Sequence, residues 1–235
     1  MELTPDEIVY WSWAGLEFNA TVVFTWGVNL LIAGAAWALT RGLSDETSID
    51  RGQHILEVLV LQVRDQIRDI VQEDPRPYLP FVATLFLFIS VSNALTIVPY
   101  YQPPTASLST TVALALAVFL AVPVFGIRQS GWRGYLRHYV EPSPLMLPFN
   151  VIGELSRTIA LAVRLFGNIM SGTLIVAILV ALTPILFPIV MRAFGLLTGL
   201  IQAYIFAVLA TVYIASGMHT AAPSAPSSDP QEEPR

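Results

Sequence analysis

Cysteine is absent from this chain of 235 residues, and so is lysine, so all twelve basic residues are arginine. The first absence excludes disulfides and thiolate metal sites. Charge of either sign is scarce. Asp, Glu, Lys and Arg make up 12% of the residues, where a soluble domain carries about 25%. The stretch 1–17 holds no basic residue and four acidic ones, the opposite of the basic start of a secretory leader, and it is unlike an Arg-rich transit peptide. A plasma (inner) membrane protein of a bacterium is therefore expected. Phosphate-binding glycine loops, His clusters and nucleophile elbows are missing too. His54, His138 and His219 fall in expected loops or in the tail. An enzyme with its own active site, a cofactor or a metal centre is not expected.

What the chain has in abundance is apolar residues, 54% of the total, with a mean hydropathy of +0.63. They come in runs of about 20, the length a helix needs to cross the hydrocarbon core. The first run covers about 18–39 and is closed by Arg41. The second, 79–98, ends at Pro99, and the third, 109–127, runs into a basic stretch with Arg128, Arg133 and Arg137. The fourth, 146–182, and the fifth, about 185–214, are each too long to stand upright and should tilt. Five transmembrane helices in an all-α polytopic protein are predicted.

Between the first two runs, Ile55, Leu59, Val63, Ile67 and Ile70 recur at helical spacing, with Arg64, Asp65, Arg68 and Asp69 between them. That pattern reads as an amphipathic helix on the membrane surface or against a partner, or as a packed hairpin. The expected organisation is 1–17 outside, 18–40 as the first span, 41–78 as a cytoplasmic amphipathic segment and 79–215 as a four-helix core. The tail, 216–235, is rich in Pro, Ser and acids, a composition that does not order itself. Arginines sit between spans one and two and between spans three and four. The N-terminus and the other two loops have none. The positive-inside rule then puts the N-terminus outside and the C-terminus in the cytoplasm.

Ionisable residues inside a span are costly and mark an ion or substrate path. In the fourth run, Glu154, Arg157, Arg164 and Asn168 follow one another by three, seven and four residues, so they share a helix face. Ser171 and Gly172 continue that stripe. Ile159, Val163, Phe166 and Ile169 occupy the opposite face, which suits lipid or neighbouring helices. Glu154 and Arg157 are spaced to pair. Arg164 is two turns deeper, between Leu161 and Leu165, with no acid spaced to neutralise it on this helix. Its guanidinium stays protonated where a lysine would lose its proton, which points to a charge aimed at a group outside the chain. In the fifth run, Arg192, Gly195, Gly199, Gln202 and Phe206 share a face. Small residues there admit a close neighbouring helix, and Gln202 is placed to hydrogen-bond toward the Arg164 helix. A purely structural packing seam is the competing reading of that face. Arg192 near the helix end either lines an aqueous cavity or reaches back to the interface.

The segment Arg164-Leu165-Phe166-Gly167-Asn168 resembles the RLFGN signature of the a subunit of F-type ATP synthases. Gln202-Ala203-Tyr204-Ile205-Phe206 resembles that family's QAYIF-like signature in the last helix. Weaker likenesses run from Ser92-Asn93-Ala94-Leu95 to Pro99, and from Pro104-Thr105-Ala106 to Leu114-Ala115-Leu116. The resemblance covers about 78–215.

It implies the stationary ion channel of a rotary motor, beside a turning ring of c subunits that each carry a buried carboxylate. Two offset half-channels would pass H⁺ or Na⁺ to that carboxylate from opposite sides. Partners implied are the c-subunit ring, b-type stator subunits, the rest of the ATP synthase and membrane lipid, with no nucleic acid. Arg164 matches the family's central arginine. Asn168 and Gln202 match positions beside it, and Glu154 lies close to an acidic position that belongs in the inner half-channel. At the outer half-channel the chain departs from the family, with Thr173, Gly195 and Ser107 where titratable groups are usual, so a route there would be made of Ser, Thr, Asn and water. Many relatives carry an acid or His at the first, a His or acid at the second and Asp at the third. The pattern is similar to the divergent alternate form sometimes called N-ATPase, proposed to move Na⁺. A stand-alone secondary transporter is the alternative from another class. It predicts broken helices, inverted repeats or a midplane pocket, and none is visible in the sequence.

Overall fold

In a computed structural model, residues 6, 9–13, 16–41, 61, 63–70, 76–98, 101–140, 146–182 and 186–219 are described. A two-stranded antiparallel hairpin opens the chain, β1 (Val9–Trp13) paired with β2 (Leu16–Asn19). It leads directly into α1 (Ala20–Thr40). A helical stretch over 63–70 (α2) precedes α3 (Leu79–Ala94), and a 3₁₀ turn, Leu95–Ile97, closes α3. A second 3₁₀ turn, Pro104–Ala106, introduces α4 (Leu108–Val140). The two longest helices follow, α5 (Met146–Leu182) and α6 (Leu186–His219).

Five of these helices, α1 and α3 to α6, are long and apolar enough to cross a membrane. With 37 and 34 residues, α5 and α6 are each more than 50 Å long at about 1.5 Å per residue. The hydrocarbon core is about 30 Å thick, so both must lean or protrude. The protein is a multi-pass membrane protein, and the all-α reading of its spans holds. The hairpin is an addition to that reading. Its alternation of aromatic and polar residues around Ala14-Gly15 is a hairpin signal that the reading by apolar runs passed over.

The core lies among α3, α4, α5 and α6, whose strongest pairings are α4 with α5, α3 with α6, and α6 with both α4 and α5. Leu85, Phe88 and Ile89 of α3 meet Val118 of α4, Leu161 and Leu165 of α5, and Phe206 and Ala210 of α6. In lipid, tail and side chain are equally apolar, so this close packing rather than water exclusion holds the helices. Helix α1 stands at the edge. Apart from Ala20, Thr21 and Val28 its described side chains are not buried, and Trp26, Leu30 and Trp37 are exposed, as suits a lipid-facing helix.

Helix α2 packs inward rather than standing apart. Ile67 is fully buried in a cluster with Val82, Ala207 and Ile214, and Val63 and Ile70 lie against it, while Arg64, Asp65, Arg68 and Asp69 are exposed. Gln66 donates a hydrogen bond to the Tyr204 hydroxyl of α6. Ile55 and Leu59 fall outside the described residues.

Two boundaries differ from expectation. The basic stretch after the third span is helical, and α4 turns at Gly131, whose φ of 73° is open to glycine without a Cβ clash. His138 therefore lies in a helix rather than a loop. Helix α6 runs to His219, past the expected end at 215. Gly217 explains the extension: a Cβ there would stand 2.7 Å from Val122, so α6 is still packed against α4 where composition alone reads as tail. The rest of the tail, 220–235, is outside the described residues.

Candidate functional site

One hydrogen bond sets the register of the antiparallel α5 and α6. Asn168 Nδ2 donates to the Thr198 carbonyl at 3.4 Å. One turn back along α5 is Arg164, and one turn on along α6 is Gln202. At about 6 Å per four residues, the two stand at the same depth. Asn93 of α3 locks the other flank of α6 at nearly the same level, donating to the Gly199 carbonyl at 3.0 Å. Gly199 is required there, since a Cβ would meet Asn93 Cγ at 2.9 Å. The bridge expected of Gln202 is thus made by Asn168. Gln202 is 6% exposed, and its Nε2 has no partner, an arrangement that is costly inside a protein and marks a site.

Arg164 differs from everything around it. Leu161 and Leu165 beside it are buried in the core, yet Arg164 itself is exposed on the open side of the bundle. Among the described residues it makes no hydrogen bond or ion pair. Its exposed neighbours on that side include the small residues Ser156, Ala160, Gly167 and Ser171, with Val163 beside it and Arg157 two turns back. A Cβ at Gly167 would meet nothing within 4 Å. The result is a shallow, small-residue surface with one fixed cation at its centre, shaped for close approach of another helix. The apolar residues of α5 meet both kinds of surroundings. Ile169 is buried, whereas Ile159 and Val163 are exposed.

Toward the ends where α4 and α6 finish and α5 begins, Glu154, Arg157 and Thr158 line a cleft with Val118, Val122, Tyr213 and Ser216. The Arg157 guanidinium lies 5.7 Å from the centre of the Tyr213 ring, within reach of a cation–π contact. The cleft opens between α4, α5 and α6, two to three turns from Arg164.

The opposite end is built from hydroxyls. Ser107 is fully buried and donates to the Asp6 carboxylate at 2.6 Å. Thr21 donates to its other oxygen at 2.6 Å, and Ser109 lies 3.4 Å from that oxygen. In the chain before Ser107, Ser90, Ser92, Tyr101 and Thr105 have buried hydroxyls without partners. Burial pushes the Tyr101 hydroxyl up to about 12, with nearby Ser92 opposing the shift; the Ser92 and Tyr101 hydroxyls face each other without closing a well-formed bond. Thr173 and Arg192 are exposed and stand apart from this group. The Thr173 hydroxyl turns back to the Met170 carbonyl of its own helix at 2.9 Å. Gly195 is open as well, with nothing within 4 Å of a Cβ.

The structure therefore puts Arg164 and Gln202 at one depth with Asn168 one turn away, Glu154 toward one end and Ser107 at the other. Asp6, Thr21 and Tyr101 were not singled out by sequence, and Ser92 and Thr105 entered only as members of the weaker likenesses. Asp6 is one of four acids in a segment with no periodicity, and only tertiary contact sets it apart.

Comparison with known proteins identifies the family. The family described as ATP synthase A chain matches residues 22–215. The chain is similar to ATP synthase subunit a 2 of Acaryochloris marina, 57% identical over 216 residues, 92% of each protein. It is similar to ATP synthase subunit a 1 of Crocosphaera subtropica, 57% identical over 93% of this chain and 95% of that one. ATP synthase subunit a of Albidiferax ferrireducens is 53% identical over 92% of this chain and 94% of its own length.

Proposed function

The chain belongs to the ATP synthase A chain family, and on that premise we propose how its residues divide the work of ion translocation. Arg164 is the fixed cation that meets the carboxylates of a turning c-subunit ring. The observation that carries this is its unpaired, exposed position on a small-residue face, level with the unpartnered amide of Gln202. A guanidinium close to a carboxylate favours its ionised form. Each ring carboxylate that arrives opposite Arg164 gives up its ion, and it takes another after moving on. The same fixed charge repels a cation that would otherwise cross straight from one access path to the other. The transmembrane potential contributes about 2.3 kcal/mol per charge per 100 mV.

Two offset access paths complete the scheme. The cleft at Glu154, Arg157 and Tyr213 is the inner path, and the hydroxyl-rich end at Ser107, Thr105 and Ser92 is the outer one, with Asn168 beside the arginine. Thr173 and Arg192, exposed near the outer ends of α5 and α6, line its mouth where a ring covers them. The positive-inside distribution of arginines supports this orientation, with the N-terminus outside and the C-terminus in the cytoplasm. A b-type stator subunit holds the chain against the turning ring, and α1, at the lipid-facing edge, is the surface available to it. The outer path relies on hydroxyls and water, which suits either H⁺ or Na⁺.

The test is Arg164→Ala in the assembled complex, reconstituted into liposomes. The expected result is normal insertion and assembly with ion-driven ATP synthesis abolished. Coupled synthesis at the parental rate would contradict the reading.

A further inference from the structure

The Asp6 carboxylate is held by two separate parts of the chain, the start of α1 and the start of α4. Its oxygens accept from Thr21 Oγ1 at the start of α1 and from Ser107 Oγ just before α4, each at 2.6 Å. Ser109 Oγ lies 3.4 Å from one oxygen and 2.6 Å from Ser107 Oγ. The backbone carbonyl of Asp6 accepts from Asn19 Nδ2 at 2.9 Å. Every group on the carboxylate is neutral, and no other charged side chain bonds to it among the described residues. A fold that needed only a clasp at this point would be served by any acceptor. Here a full negative charge is placed at the edge of the membrane, half-buried and surrounded by oxygen atoms.

The second observation is what lies inward of it. Thr105 is two residues before Ser107, in the 3₁₀ turn that packs against α1, α3, α4 and α5. Its side chain is fully buried and its hydroxyl has no partner. The Tyr101 ring lies edge-on to Phe24 at 5.0 Å, one turn along α1 from Thr21, and its hydroxyl is near Ser92. Ser92 is fully buried and also unpartnered. Beside Ser92 is Asn93, which reaches Gly199 at nearly the level of Asn168. Buried hydroxyls without protein partners hold water or an ion. Thr105, Tyr101 and Ser92 belong to the segment that joins the Asp6 contact at Ser107 to the Asn93–Gly199 contact of α3 with α6.

We propose that Asp6 is the entry carboxylate of the outer ion path, where a single monovalent cation, H⁺ or Na⁺, is collected before it passes to these hydroxyls. One negative charge with neutral oxygens around it balances one positive charge. A proton resides on a carboxylate oxygen in place of a donated hydrogen bond. Na⁺ is held by the carboxylate and the hydroxyls of Thr21, Ser107 and Ser109, hard oxygen donors suited to a hard cation. In either case the ion leaves inward and the carboxylate is restored. This inference rests on the reading of the chain as the ion-translocating subunit, and it adds an N-terminal residue to that path.

The test uses the whole complex in liposomes and measures the rate of ion-driven ATP synthesis against ion concentration on the outer-mouth side. H⁺ is varied at fixed Na⁺, and Na⁺ at fixed pH. For whichever ion drives the parent enzyme, Asp6→Asn is expected to raise the half-saturating concentration about tenfold, the loss of one charge-assisted contact. Restoring a carboxylate 2.6 Å away, with Asp6→Asn and Ser107→Asp together, is expected to bring the value back toward the parent's. Should Asp6→Asn alone yield no assembled complex, the double variant reads the same quantity. An unchanged half-saturation in Asp6→Asn overturns the proposal. So does a lower maximal rate that the double variant leaves unrestored, because that marks a structural clasp only. Arg164→Ala, run in parallel, separates the two ideas: retained coupling there sinks the underlying reading, whereas failure of the Asp6 arm alone sinks only the entry site.

Discussion

Glycine serves opposite purposes on the two sides of the α5–α6 pair. On α6, Gly199 faces inward with Gln202 and Phe206, pressed against Asn93 of α3 with no room for a methyl group. On α5, Gly167 faces outward next to Arg164, with open space where a Cβ would go. The first glycine closes a seam inside the chain. The second keeps a surface low for something that is not part of the chain. Sequence spacing alone makes the two look alike, since both lie in small-residue stripes on long apolar helices. The difference is whether the stripe already has a neighbour.

That contrast predicts a split between stability and coupling. Gly167→Leu should leave the isolated chain as stable as the parent. In the complex it should lower ion-driven synthesis by roughly tenfold or more, because the bulk separates helices that must approach closely. Parental rates of synthesis would mean the open face meets only lipid. Gly199→Ala should act the other way. Overpacking against Asn93 costs about 1–3 kcal/mol, visible as a lower unfolding temperature of the purified subunit even where no ring is present. Asn93→Ala removes the bond to the Gly199 carbonyl and should cost about 1 kcal/mol in the same assay.

The smallest effect concerns Tyr101. Burial pushes its hydroxyl from the ordinary 10.0 up to about 12 in the fold. Stability from this group is therefore complete below pH 10 and falls as pH rises toward 12, because the unfolded chain loses the proton first. Tyr101→Phe should flatten that alkaline decline in a thermal melt and change little at neutral pH. An identical decline in both proteins would place its origin elsewhere.

Much of this molecule is legible from its sequence, for physical reasons that differ by region. The spans are readable because about 20 apolar residues in a row have few other homes, and α5 begins and ends where its apolar run does. Arg164 stands out because a charge among leucines costs too much to be incidental. Its depth relative to Gln202 is a different kind of fact. It depends on Asn168 bonding to Thr198, and spacing within one helix says nothing about register against another. The hydroxyl-rich end was the least readable. Ser107, Thr105 and Ser92 carry no charge and no periodicity, and Asp6 is more than a hundred residues from Ser107 in the chain. Proximity created by folding makes them a site. The end of α6 was misjudged for a related reason, since Ser216 and Gly217 look like tail until Val122 is seen packed against them.

The central claim is that the exposed face around Arg164 lies against the ring of ion-carrying subunits. The absence of cysteine from the chain gives a silent background for testing it. Single cysteines would be placed at Ala160 and Gly167 on the open face, and at Ala162 and Ala203, which are buried inside the bundle. Each would be paired with one cysteine beside the ring carboxylate, and disulfide formation under mild oxidation would be measured in the membrane-embedded complex. The account predicts cross-links from Ala160→Cys and Gly167→Cys and none from Ala162→Cys or Ala203→Cys. Cross-links confined to the other faces of α5, with Ala160→Cys and Gly167→Cys silent, would contradict it.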